Sequence, residues 1–76
     1  MTLPPTLTIQ TVRGPMELPA GSTLADAVDR LLDGTPRTPE QVATAVNGEF
    51  VPRGVRHQHR LQHDDTVLCF APITGG

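Results

Sequence analysis

The chain has 76 residues, a mass of 8.1 kDa and a formal charge of −2, with six arginines, eight acidic residues and no lysine. This length excludes a two-domain protein, and we expect residues 1–76 to form one small domain. The longest apolar run covers residues 67–72, far short of the roughly 20 residues that a membrane-spanning helix needs. No basic segment followed by an apolar core opens the sequence, so we expect a cytoplasmic protein with no membrane partner.

Composition also limits the ligands that the chain can bind. Cys69 is the only cysteine, so the chain can form neither an internal disulfide nor a thiolate cluster for zinc. The arginines are scattered and the only aromatic residues are Phe50 and Phe70, which provides neither a basic stripe nor a platform for stacking bases. We therefore expect no nucleic-acid partner and a core made of apolar side chains alone.

The first elements are predicted to form a β-hairpin. Residues 6–12 alternate, with Leu7 and Ile9 on one face, which is the period of a half-buried strand. Residues 13–15 contain glycine and proline and interrupt this pattern, and residues 16–18 resume it. The second strand should therefore be short and pair with the first.

One helix is predicted to follow. Either Ser22 or Thr23 can offer a hydroxyl to the free amides at its start, and Gly34 stands where a left-handed cap would favour glycine. The helix should end near Asp33. Its apolar stripe, at helical spacing, comprises Leu24, Val28, Leu31 and Leu32.

A second hairpin is predicted beyond the helix. Residues 35–40 contain two prolines and predict an extended or turning linker. Residues 42–46 and 49–51 are apolar enough to form short strands. Asn47-Gly48 between them is the dipeptide that favours a type I′ turn.

The last strand is predicted after a long connection. Residues 52–65 are polar and punctuated, whereas residues 66–70 form a run typical of a buried strand. One helix among about five strands, in this order, predicts an α+β fold. A curved mixed sheet packed on the helix satisfies this order.

Three histidines in the long connection raise the question of a metal site. Neutral imidazoles at His57, His59 and His63 could bind zinc or copper. However, no acid or cysteine stands at a clear ligand spacing, and Arg56 and Arg60 would repel a cation. We interpret the segment as a solvated loop and expect no metal.

No residue pattern predicts an autonomous enzyme. Cys69 lies between apolar residues of a strand, where burial would raise its pKa, so a core thiol is favoured over a nucleophile. Adjacent Asp64 and Asp65 precede a strand and are typical of a turn rather than an acid/base pair. The sequence contains no phosphate-binding glycine loop and no HExxH pattern.

The sequence ends on a double glycine that follows the last strand. Gly75 and Gly76 lack Cβ atoms, so this end could thread a narrow channel and bring its carboxylate close to a nucleotide. A frayed terminus is the simpler interpretation, because small residues are tolerated at disordered ends. The residues alone leave both interpretations open.

Three stretches of the sequence resemble the ubiquitin-like β-grasp sulfur carriers, the ThiS and MoaD family. Residues 17–26 (ELPAGSTLAD) are similar to the passage from strand to helix in these carriers, residues 46–53 (VNGEFVPR) to their central hairpin, and residues 64–76 to their end. The resemblance covers nearly the whole chain. The hairpin is closer to the ThiS branch, while the ending FAPITGG is similar to both branches.

The resemblance implies a β-grasp (ubiquitin-like) fold and a protein co-substrate that is not itself an enzyme. In this family an adenylyltransferase resembling ubiquitin-activating enzymes (ThiF-like) uses ATP to activate the terminal carboxylate, here that of Gly76, and the carrier holds no cofactor. A donor such as a cysteine desulfurase then supplies sulfur for a thiocarboxylate. In the ThiS branch, this group delivers sulfur to the thiazole of thiamine on a thiazole synthase (ThiG-like).

The resemblance also implies roles for the residues near the end. Gly75 and Thr74 would thread into partner active sites, Ile73 could anchor the tail, and the exposed apolar part of the sheet would dock the activating enzyme. Residues 72–76 are expected to form a flexible tail and residues 1–5 a flexible lead. The small subunit of molybdopterin synthase and a β-grasp interaction module with an inert tail are the alternative functions.

Overall fold

A computed structural model describes residues 5–70 of the chain. Its elements are strands β1 (Thr6–Thr11) and β2 (Gly14–Pro19), helix α1 (Leu24–Leu32), and strands β3 (Ala43–Val46), β4 (Glu49–Val51) and β5 (Val67–Phe70), with 3₁₀ segments at Pro39–Gln41 and Arg53–Gln58. Among the described residues, no helix is long and apolar enough to cross a membrane.

The strands form two ladders that meet between β1 and β5. β1 pairs antiparallel with β2, and β3 pairs antiparallel with β4 on one side and β5 on the other. A single parallel bridge joins Gln10 to Thr66, and the Gln10 amide donates to the Asp65 carbonyl at 2.8 Å. The resulting order is β2-β1-β5-β3-β4, which confirms the predicted α+β fold with a mixed sheet of about five strands and one helix.

The core lies between α1 and one face of this sheet. The predicted stripe is confirmed at Leu24, Val28 and Leu31, which are almost fully buried, whereas Leu32 is half-buried at its edge. Ala27 completes the buried side of the helix. The strand residues that pack against it include Leu7, Ile9, Leu18, Val46, Val51 and Val67.

The start of α1 is fixed by a reciprocal pair of hydrogen bonds. The Thr23 amide donates to the Asp26 carboxylate at 2.9 Å, and the Asp26 amide donates to the Thr23 hydroxyl at 3.4 Å. This capping box satisfies two amides that the helix leaves free. Of the two residues predicted to cap the helix, Thr23 does so, because the Ser22 hydroxyl donates to the Pro19 carbonyl instead at 2.6 Å.

The turn between β3 and β4 has the predicted conformation. Asn47 and Gly48 have φ values of +53° and +86°, the positive values that a type I′ turn requires at both central positions. This turn fixes the register in which Ala45 lies opposite Phe50.

The long connection before β5 differs from its sequence interpretation. The segment with the three histidines was expected to be a solvated loop, and His57 and His63 are exposed, yet Arg56 and Leu61 in the same connection are each only 4% exposed. The backbone also pairs with the residues at the start of α1, since the Leu24 amide donates to the His59 carbonyl at 2.8 Å and the Leu61 amide to the Ser22 carbonyl at 3.0 Å. These contacts accompany the packing of Leu61 into the hydrophobic core.

The predicted flexible ends fall almost entirely outside the described residues. Pro5 is the one residue of the lead that is described, and its carbonyl accepts a hydrogen bond from the Ala20 amide at 2.9 Å. Residues 1–4 and the tail residues 72–76 are not described.

Candidate functional site

The outer side of β3, β4 and β5 presents an apolar surface, which we call the apolar face. Because side chains alternate along a strand, the outward residues of β5 are Leu68 and Phe70, which are 44% and 43% exposed. Ala45 of β3 lies opposite both Leu68 and Phe50, and Ala43 lies opposite Phe70. Phe50 is the most exposed of the five, at 65%. Two small alanines thus separate three large side chains.

The other half of the outer side is more polar. On β1 and β2, Thr8 lies opposite Glu17, and Gln10 lies opposite Pro15. Leu7 of β1 points inward to the core. The apolar face is therefore confined to the half of the sheet that leads into the last described residue.

A buried arginine, Arg56, lies on the inner side of β3, behind the apolar face. Arg56 donates from Nε to the Thr44 hydroxyl at 3.0 Å, from Nη1 to the Pro39 carbonyl at 2.9 Å and from Nη2 to the Val42 carbonyl at 2.6 Å. These bonds hold the segment Arg53–Gln58 against β3. Burial lowers the pKa of Arg56, because it removes the charged guanidinium from water.

Nothing in the sequence distinguishes Arg56 as a buried residue. Arginine is rarely buried, and Arg53 and Arg60 nearby have the same side chain and remain exposed. Its role follows from the two 3₁₀ segments, which the sequence did not predict and which bring the Pro39 carbonyl to the guanidinium.

The start of β5 is tied to the turn between β3 and β4. The Asn47 side-chain amide donates to the Asp65 carboxylate at 3.0 Å, and the Thr66 amide donates to the Asn47 side-chain oxygen at 2.9 Å. Asp64 has a φ of +71° and Asp65 accepts from the Gln62 amide at 2.8 Å, which confirms that both aspartates are turn residues. These hydrogen bonds fix the start of β5 relative to the turn between β3 and β4.

The three histidines do not converge. His63 accepts the Thr8 amide at Nδ1 over 3.2 Å, and its Nε2 lies 3.6 Å from the Asp64 carboxylate. His57 lies beside the Gln58 side chain, 3.4 Å away, and His59 contacts α1 through its backbone carbonyl. Within residues 5–70, no group of three histidine, cysteine or acidic residues could hold a metal ion.

Cys69 is on the inner side of β5, opposite Thr44. Its side chain is half-buried against the core, which confirms the interpretation as a core thiol. Burial raises the pKa of Cys69, although the nearby guanidinium groups of Arg56 and Arg37 act in the opposite direction. This environment favours the protonated, unreactive thiol.

The predicted site residues Ile73, Thr74, Gly75 and Gly76 lie outside the described residues, so their roles stay predictions. The described chain ends at Phe70, which belongs to the apolar face. Five residues, 71–75, therefore lie between this face and Gly76.

Comparison with known proteins adds two findings. The model of the ThiS family matches residues 8–76. The crystal structure of a thiamine biosynthesis protein (ThiS) from Geobacter metallireducens is similar, with a TM-score of 0.73 and 17% identity over 92% of this chain and 100% of that chain. Comparison with curated protein sequences found no match.

These findings agree with the sequence resemblance and with the geometry. The structural likeness supports the β-grasp fold, and the family match covers the sheet, the helix and the glycine-ended segment. The chain therefore belongs to the ThiS family, the ubiquitin-like sulfur carriers of thiamine biosynthesis.

Proposed function

We propose that the chain carries sulfur as a thiocarboxylate on Gly76 and donates it for formation of the thiazole of thiamine. The family match, which extends to residue 76, is the observation that carries this proposal. The chain acts as a co-substrate, since the chemistry takes place on its own terminus in the active sites of partner enzymes.

The proposed chemistry begins with a group that reacts poorly. A carboxylate is a weak electrophile because its charge is delocalised and oxide is a poor leaving group. In the first step, a Gly76 oxygen attacks the α-phosphorus of ATP and pyrophosphate leaves, which gives an acyl adenylate. The terminal sulfur of the donor's persulfide then attacks the acyl carbon and AMP leaves with the C–O bond electrons, which gives an acyl disulfide. A thiol attacks the donor-side sulfur of that disulfide, forms a mixed disulfide with the donor and releases the acyl sulfur with the S–S bond electrons. The product is a thiocarboxylate, a softer nucleophile than the original group.

The apolar face is the surface that we propose for docking the activating enzyme. Phe50, Leu68 and Phe70 are exposed large apolar side chains that neighbour one another across the strands, and contiguous apolar patches mark interaction sites. The enzyme that docks there is a ThiF-like adenylyltransferase, and a ThiG-like thiazole synthase receives the sulfur. A cysteine desulfurase is the class of donor that supplies it.

The narrow end of the chain explains how the carboxylate reaches a nucleotide. Gly75 and Gly76 have no side chains to obstruct a channel, so backbone can approach the phosphates closely. Thr74 would lie in the same channel, and Ile73 would anchor the tail at its mouth.

Adding one alanine after Gly76 tests the position of the reactive carboxylate. We expect exchange of pyrophosphate into ATP, catalysed by the cognate adenylyltransferase, to fall to background, because the new terminus has a Cβ and lies one residue too far along the channel. One alanine inserted after Met1 is the matched control and should leave exchange unchanged. Full exchange with the extended terminus would refute the proposal.

Growth of a deletion strain tests the pathway. Thiamine, or its thiazole precursor alone, should restore growth of the strain without this gene. Rescue that instead requires molybdenum cofactor would favour the small subunit of molybdopterin synthase.

The intact mass of the protein isolated from its host tests the terminal group. It should show the replacement of one oxygen by sulfur, and persistent absence of that mass shift during active synthesis would favour an inert interaction module.

A further inference from the structure

A concave surface lies between the end of α1, the tip of the β1–β2 hairpin and the end of β5, and it shares Phe70 with the apolar face. It encloses about 400 Å³. Its apolar lining includes Val12, Leu32 and Phe70, and two arginines, Arg13 and Arg37, stand at its edge. We call it the arginine groove.

The charge of the arginine groove is opposite to that of the whole chain. The protein carries −2 and has eight acidic residues, yet none of the residues that line the groove is acidic. The described part of the chain shows no hydrogen bond or ion pair to the guanidinium of Arg13 or Arg37, and both residues are exposed. By contrast, the guanidinium groups of Arg53 and Arg56 donate to backbone carbonyls. The groove therefore has two positive charges available to a partner.

Phe70 lies at the rim shared by the groove and the apolar face, whereas the lining residues Leu31, Val42 and Cys69 place the groove between α1 and the inner side of the sheet. Because the chain continues from Phe70 toward Gly76, a partner that covers the apolar face and receives that end would extend past the groove. Val12, which is 71% exposed on the hairpin tip, forms its far wall. An apolar floor between two cations is complementary to a peptide in which carboxylates flank an apolar side chain.

We propose that the arginine groove binds an acidic segment of the adenylyltransferase that activates this chain, with carboxylates paired to Arg13 and Arg37. The inference rests on the proposed function, since it takes the partner on the apolar face to be that enzyme. The pairing orients the enzyme on the sheet and accelerates its association, because charge complementarity acts mainly on orientation and on the rate of encounter.

The absence of lysine from the sequence permits a direct test. The variants Arg13→Lys and Arg37→Lys each introduce the one side-chain amine of the protein while keeping the charge. Mixed with the cognate adenylyltransferase and a carbodiimide, each should form an amide to an aspartate or glutamate of the enzyme, identified by mass spectrometry. Arg60→Lys is the matched control, because Arg60 is also exposed but lies in the connection that pairs with Thr23. Cross-linking no stronger than in this control would overturn the proposal.

Removal of the charges gives an independent measurement. The double variant Arg13→Gln/Arg37→Gln should raise the Kd for the enzyme about threefold to tenfold at low salt, with a weaker dependence on salt concentration. Arg60→Gln should change neither quantity. A wild-type Kd and salt dependence in the double variant would refute the proposed binding role of the arginine groove, while the proposed sulfur-carrier function would be unaffected. Failure of the unmodified protein to bind or be activated would overturn both.

Discussion

Truncation of Phe50 offers a sharp test of the apolar face. A phenylalanine side chain presents about 150–250 Å² of surface. Phe50 is 65% exposed, so docking can cover about 100–160 Å² of it, and at about 25 cal/mol per Å² this corresponds to roughly 2.5–4 kcal/mol. Part of that gain is offset by ordering of the interface, which leaves an expected loss of about 2 kcal/mol for Phe50→Ala, or about 30-fold in Kd.

Isothermal titration calorimetry with the cognate adenylyltransferase measures this loss. Since Phe50 makes little contact with the core, the free energy of unfolding should change by less than about 1 kcal/mol, as chemical denaturation can verify. Val55→Ala is the control, because Val55 is 41% exposed but belongs to the segment Arg53–Gln58 and not to the strands that form the apolar face. An unchanged Kd for Phe50→Ala would mean that the enzyme docks elsewhere.

Two further predictions concern groups on the inner side of the sheet. Arg56→Met leaves the Pro39 and Val42 carbonyls without their donors and should destabilise the protein by about 2–4 kcal/mol, measured as a lower Tm. The control variant Arg60→Met should change the free energy of unfolding by less than about 0.5 kcal/mol. Equal Tm values for the two variants would contradict the role of Arg56. Cys69 should react with iodoacetamide at pH 8 more slowly in the folded than in the unfolded protein, because burial raises its pKa. The folded state then retains this proton more strongly, so stability should fall as pH rises above the ordinary thiol pKa, and Cys69→Ala should remove that slope. Equal alkylation rates in both states would contradict this.

The sequence predicted the elements whose signals are local. Alternation at Leu7 and Ile9, the helical stripe from Leu24 to Leu31, and the Asn47-Gly48 turn each depend on a few neighbouring residues, and the structure confirms them. Strand ends shifted by one or two residues, since β1 ends at Thr11 and β5 begins at Val67. Such boundaries depend on pairing partners far along the chain.

The sequence failed where tertiary contacts override residue type. Arg56 is buried because three oxygens from distant segments meet its guanidinium, and a residue-by-residue reading has no means of placing those oxygens. The apolar face was expected only as an exposed part of the sheet. The register of Ala45 between Phe50 and Leu68 was needed to define its members. The tail residues are predicted by resemblance alone.

The change from polar to apolar halfway across the outer side of the sheet has a geometrical consequence for any enzyme that acts on Gly76. A partner that covers Phe50 and Leu68 and leaves Glu17 hydrated can bind in only one orientation. The direction of β5 relative to that partner is therefore fixed. Because an extended chain spans at most about 3.6 Å per residue, the terminal carbon lies no more than about 22 Å beyond Phe70. Under the proposed function, the adenylyltransferase and the thiazole synthase must therefore both place their reactive centres within this distance of Phe70.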